Sequence, residues 1–130
     1  LKETEEKAED VKTRVTRIED VSEALFREWK NELSQYQSDE LRRRSEAKLR
    51  LSRERYDTMI EAMQKAVARL DPALRPLQDN VLFLKHNLNA SAIGALAKEK
   101  GVVEDNIDEL LRNLDKSIAE GQAFVATIKE

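Results

Sequence analysis

Cysteine is absent from this chain, which excludes disulfides, thiolate catalysis and cysteine-held metals and leaves the redox compartment unreadable. Histidine occurs once, as His86, and one imidazole cannot supply the paired Glu-x-x-His ligands of di-metal helical bundles. Aromatic residues make up only 5%, and no aromatic platform accompanies the basic segments. Long hydrophobic runs are missing too. The longest apolar cluster, Val81-Leu82-Phe83-Leu84, is bounded by Asn80 and Lys85, far short of the roughly 20 residues that cross a bilayer. A net charge of -3 gives no general pull toward nucleic acid or an anionic membrane. The opening Leu1-Lys2-Glu3-Thr4 shows neither an initiator methionine nor a signal peptide, so the chain is expected to be a fragment or a processed form.

What remains is charge and rhythm. Charged residues reach 38% and hydrophobic ones 40%, the balance of a slender helical bundle with much surface per residue. The apolar residues are too many and too periodic for disorder. From Tyr56 onward they keep a four-three spacing: Tyr56, Ile60, Met63, Val67, Leu70, Leu74, Leu77, Val81, Leu84, Leu88. That is a coiled-coil seam, and it passes straight through Pro72 and Pro76. The spacing predicts one helix over 39–86, kinked between Ala68 and Pro72, where prolines remove donors and crowd the preceding turn. The rival reading makes Asp71 an N-cap and Pro72 the first residue of a fresh helix. The unbroken rhythm favours the kinked continuation.

A first helix is predicted over 3–35 on the seam Val11, Val15, Ile18, Ser22, Leu25, Trp29, Glu32, Tyr36, with Val21, Phe26 and Leu33 beside it. Ser38 is a good N-cap for the next helix, and Asp39 and Glu40 place carboxylates in its positive first turn. A second reversal is expected at 87–91, where asparagines tolerate left-handed backbone. A third helix then spans 91–128 on the seam Ile93, Leu96, Lys100, Val103, Ile107, Leu110, Leu114, Ser117, Gly121, Phe124, Ile128. Gly94, Gly101 and Gly121 all fall in it, and a bend is expected at Lys100-Gly101. Up, down and up give an all-α, elongated antiparallel three-helix bundle, one domain over 1–130. The basic start of helix two, from Arg42 to Arg55, is expected to pair with acidic strips on helices one and three.

No residue set in this chain carries an evident reaction. Closely spaced carboxylates are everywhere, so no acid–base pair stands out, and neither a metal nor a cofactor is implied. His86, in a polar segment beside asparagines, reads as a cap or turn residue. Arg42, Arg43, Arg44, Lys48 and Arg50 form a candidate anion-binding strip for lipid headgroups or nucleic acid. Interleaved Glu40, Glu46, Glu54 and Asp57 favour pairing within the chain instead, which makes nucleic acid an unfavoured partner. Trp29 either stacks on that strip or fills core. Asn89-Ala90-Ser91 matches a glycosylation sequon, though a turn explains it equally.

The segment around 79–90 is the most informative oddity. Val81, Leu82, Phe83 and Leu84 are apolar all round, so a single seam cannot bury them. Counting antiparallel pairs from the first reversal, Leu1 reaches only to about Leu77, which leaves the tip without cover from helix one. Residues preceding Leu1, a partner, or helix three alone must cover it. Val81, Leu82, Phe83, Leu84, His86 and Leu88 are therefore the candidate interface, for a protein partner or a second copy of the chain.

With these residues in view, the chain resembles a family of uncharacterised bacterial proteins, the domain of unknown function numbered twenty-nine fifty-nine. The matching features are Leu25-Phe26-Arg27-Glu28-Trp29, Leu33, Gln35-Tyr36, Leu41-Arg42-Arg43 and Ser45. The run from Val81 to Ala90 is the most specific, followed by Ala92-Ile93, Leu96, Ser117-Ile118-Ala119-Glu120 and Ala123-Phe124. Pro72 matches a family proline, whereas Pro76 and Gly121 depart from the pattern. The resemblance implies an all-helical protein of the bacterial cell envelope, on the periplasmic side, whose precursor often carries a lipoprotein-type anchor and a further helical segment. It implies no activity. The expectation is a non-enzymatic structural or interaction module that works through its helical tip.

Overall fold

The computed structural model describes residues 2–86 and 90–129, and these contain helices and no strand. In chain order they are α1 (Lys2–Glu32), a 3-10 turn (Leu33–Gln35), α2 (Asp39–Ala68), α3 (Leu70–His86) and α4 (Ala90–Lys129). The first reversal follows its local chemistry. Tyr36 leaves the 3-10 turn with extended backbone, and the Ser38 hydroxyl accepts the Leu41 N–H at 3.3 Å, capping α2. Asp39 and Glu40 stand in the first turn of α2.

The single helix expected over 39–86 is two helices parted at Arg69. The cause is main-chain bonding, to which side-chain rhythm is blind. Continuing α2 would require residue 72 to donate to the Ala68 carbonyl, and Pro72 has no N–H. Arg69 N–H bonds instead to Ala66 O at 3.1 Å, a tightened turn, and Ala73 N–H restarts the ladder at Arg69 O, also 3.1 Å. Pro72 thereby falls in the first turn of α3, where donors lack intrahelical partners anyway. The fresh helix of the rival reading begins at Leu70, earlier than its Asp71 cap.

The chain divides into two units, Arg14–Gln64 with Ser117–Glu130, and Leu1–Thr13 with Lys65–Lys116. In the first, Val15, Ile18, Ser22 and Phe26 of α1 are buried with Tyr56, Ile60 and Met63 of α2 and Ile118 and Val125 of α4. Trp29 Nε1 donates to Ser45 Oγ at 2.8 Å, Arg53 pairs with Glu23 at 2.7 Å, and Gln64 donates to Glu19 at 3.0 Å. Descending α1 matches ascending α2, so these two helices run antiparallel there. In the second unit, Ala8 and Val11 are buried with Leu70, Leu74 and Leu77 of α3 and Ile107, Leu111 and Leu114 of α4. Each fully buried leucine or isoleucine contributes about 1.5–3 kcal/mol by leaving water.

Some seams fall one residue from where spacing puts them. Among the described residues of α4, Ile107, Leu111, Leu114, Ile118, Gly121 and Val125 are buried, while Leu110, Ser117, Phe124 and Ile128 are half-buried beside them. In α1 the buried row passes to Phe26, and Glu32 and Tyr36 are exposed. After Leu77 the row continues to Asn80, not to Val81. Helix α4 runs through Lys100 and Gly101 without interruption. The second reversal falls largely outside the described residues.

Candidate functional site

The tip of α3 is built by a register that can be read from two contacts. Lys12 Nζ meets Asp71 at 2.7 Å, and seven residues on along each helix Gln78 donates to Glu5 at 3.3 Å. Three residues further, Lys2 stands level with Val81. The first helix is therefore shifted by about five residues from the Leu1–Leu77 match expected from sequence.

Beyond this level the apolar residues open outward. Val81 is 46%, Leu82 61% and Phe83 47% exposed. By spacing Val81 and Leu84 fall on the same side as Leu70, Leu74 and Leu77, but Val81 is exposed and Leu84 only half-buried. Leu82 and Phe83 lie on the side of the helix opposite that row. His86, the last residue of α3, is exposed. Leu88 lies outside the described residues, as does Asn89 of the sequon. Just before the tip, Asn80 is buried and its Nδ2 has no hydrogen-bond partner among the described residues.

The structure splits the candidate anion-binding strip. Arg42 meets Asp39 at 3.7 Å and Glu46 at 3.5 Å, and Arg44 meets Glu40 at 2.8 Å, all within α2. Arg43, Lys48 and Arg50 are exposed, and no ion pair engages them among the described residues. Within the basic stretch from Arg42 to Arg55, the expected pairing with the acidic strip of α1 is made by Arg53, which bonds Glu23 at 2.7 Å and also meets Asp57 of α2 at 3.3 Å.

Sequence reasoning missed what Arg53 does. Its guanidinium lies 5.3 Å from the Phe26 ring and 5.5 Å from that of Tyr56, and the rings meet edge-on at 5.5 Å. The hydrogen bond to Glu23 is the main influence that raises the Arg53 pKa. Burial, and then the nearby Glu23 charge, pushes the Tyr56 hydroxyl up to about 12. The signal was present in outline: Phe26, Glu23, Arg53 and Tyr56 all carry the right chemistry, but only the interhelical register brings them together.

Beside this cluster an open groove of about 510 Å³ runs between α1 and α2. Four cations, Arg27, Lys30, Arg50 and Arg53, line it against three acids, Glu23, Glu46 and Glu54, so its charge is nearly balanced. Trp29 is half-buried and held by its bond to Ser45. It lines a separate hollow with Lys48 and Tyr36, while the cation stacked on rings is Arg53. Among the described residues no three metal-ligating side chains gather, and no helix is long and apolar enough to cross a membrane.

Over residues 1–128 the chain matches the family described as protein of unknown function (DUF2959). The chain belongs to that family. No curated protein and no solved structure matches it. Membership in DUF2959 agrees with the resemblance read from the tip motif and the Leu25–Trp29 segment, and it brings no activity with it.

Proposed function

We propose that this protein is a non-enzymatic structural or interaction module that engages a protein partner or a second copy through the tip of α3. The supporting observation is the exposure of three consecutive large apolar residues, Val81, Leu82 and Phe83, on a helix whose upstream leucines are fully buried. In this reading α1, the α2–α3 pair and α4 form the legs of an antiparallel three-helix bundle, with the proline break at Arg69 as a kink in the second leg. The bundle presents the tip and does no chemistry of its own. The periplasmic side of the bacterial envelope, with a lipid anchor in the precursor, is the proposed location, and it rests on the family resemblance. Light scattering over a concentration series, with crosslinking in envelope fractions, tests the proposal against Phe83→Ser. A monomer whose partners are unaffected by that substitution would end it.

A second reading assigns peripheral anion binding to Arg43, Lys48 and Arg50, favoured by their exposure and lack of ion pairs among the described residues. Such binding would weaken steeply with salt. Titration with vesicles containing anionic lipid, at low and moderate salt, separates the readings, since absence of binding at low salt eliminates this one.

A further inference from the structure

We infer that the tip's partner is a second copy of this chain, paired antiparallel about a two-fold axis that passes between Leu82 and Phe83. The inference rests on the reading of the tip as an interface. It comes from four residues of α3, Asp79, Leu82, Phe83 and His86, at offsets of three, four and seven that place them on one face of the helix. All four are exposed, and their face is opposite the buried row of Leu70, Leu74 and Leu77. The stripe is thus an acid, two large apolar residues and an imidazole, in that order.

A two-fold axis reverses that order and lays the stripe onto itself. Leu82 meets Phe83 of the second copy, and Asp79 meets His86 of the second copy, so that each contact is made twice. The imidazole N–H donates to the carboxylate at both ends, flanking an apolar centre. Parallel pairing would instead set the two Asp79 carboxylates side by side. Among the described residues no ion pair engages Asp79 or His86, so both groups are available for an intermolecular contact. With four residues from each copy, the contact falls below the area of a stable interface, and association is weak and concentration-dependent.

The absence of native cysteine allows a direct geometric test on the full chain. Leu82→Cys places a thiol beside the axis, within disulfide reach of its symmetry mate. Arg75→Cys, exposed and seven residues earlier on the same face, leaves the two thiols roughly 20 Å apart. Mild oxidation should convert Leu82→Cys to a covalent dimer and leave Arg75→Cys monomeric. In parallel, sedimentation equilibrium should show Asp79→Lys and His86→Glu each weakening association by roughly three- to tenfold. The double exchange should recover it to within about twofold.

Equal crosslinking of both cysteine variants, or no rescue by the double exchange, overturns the antiparallel pairing. If Phe83→Ser still dissociates the dimer in that case, the tip remains an interface and only its geometry was misassigned. A chain that stays monomeric throughout overturns self-association, and crosslinking with and without Phe83→Ser then decides the tip reading. A dimer unchanged by Phe83→Ser overturns both.

Discussion

Gly121 of α4 lies so close to Met63 of α2 that a Cβ at position 121 would stand 2.8 Å from the Met63 Cε, and 3.1 Å from the Ile18 Cδ1. Met63 is 1% exposed, so its terminal methyl has little room to retreat. Gly101, in the same helix, has nothing within 4 Å of the corresponding point. Gly101→Ala should therefore stabilise the protein by about 0.5–1 kcal/mol through helix propensity alone. For Gly121→Ala, overpacking of about 1–3 kcal/mol opposes that gain, and a net loss of about 1 kcal/mol is expected. Urea midpoints of the two variants should move in opposite directions, and a rise in both would refute the close approach.

Tyr56 gives a pH signature. Burial holds its hydroxyl at about 12, above the ordinary 10.0, so the folded state keeps the proton more tightly than the unfolded chain does. The resulting stability is fully present below about pH 10 and is lost as pH rises toward about 12. Urea unfolding from pH 8 to 11.5 should show the native protein losing stability faster than Tyr56→Phe at the alkaline end. Parallel curves would contradict the burial of this hydroxyl.

Much of the fold is legible in the sequence because spacing reports which side of a helix is apolar. Tyr56, Ile60, Met63, Leu70, Leu74 and Leu77 are buried where their rhythm places them. Spacing fails where two adjacent residues are both eligible. Leu25 and Phe26, Leu110 and Leu111, and Phe124 and Val125 are such pairs, and in each the second is the more buried. The interruption at Arg69 lies inside the 68–72 stretch where the prolines predict a disturbance, but the rhythm alone does not register it, because a missing proline N–H does not change which side chains face inward. At the tip, apolarity on all sides of α3 was visible directly. The Glu23–Arg53 bridge joins two strips that charge had already paired, but which acid meets which base depends on interhelical register, and composition does not supply it.

Leu77 and Leu82 separate packing from interface. Leu77 is 1% exposed, and Leu77→Ala should cost about 2–5 kcal/mol by leaving a cavity. Leu82 is 61% exposed, and Leu82→Ala should change the stability of the dilute protein by no more than about 0.5 kcal/mol. At high concentration the order of effects reverses, with Leu82→Ala impairing association. Thermal unfolding at low and high protein concentration measures both, and a large loss for Leu82→Ala in dilute solution would mean the leucine is core.

The most direct test is the mass of the full chain in solution, measured by sedimentation equilibrium from about 10 μM to 1 mM, alone and with Phe83→Ser. The native chain should sediment as 15.0 kDa when dilute and approach twice that mass as concentration rises, while Phe83→Ser stays at 15.0 kDa throughout. A native chain that remains at the single-chain mass, or a variant that associates as strongly as the native one, would contradict the account.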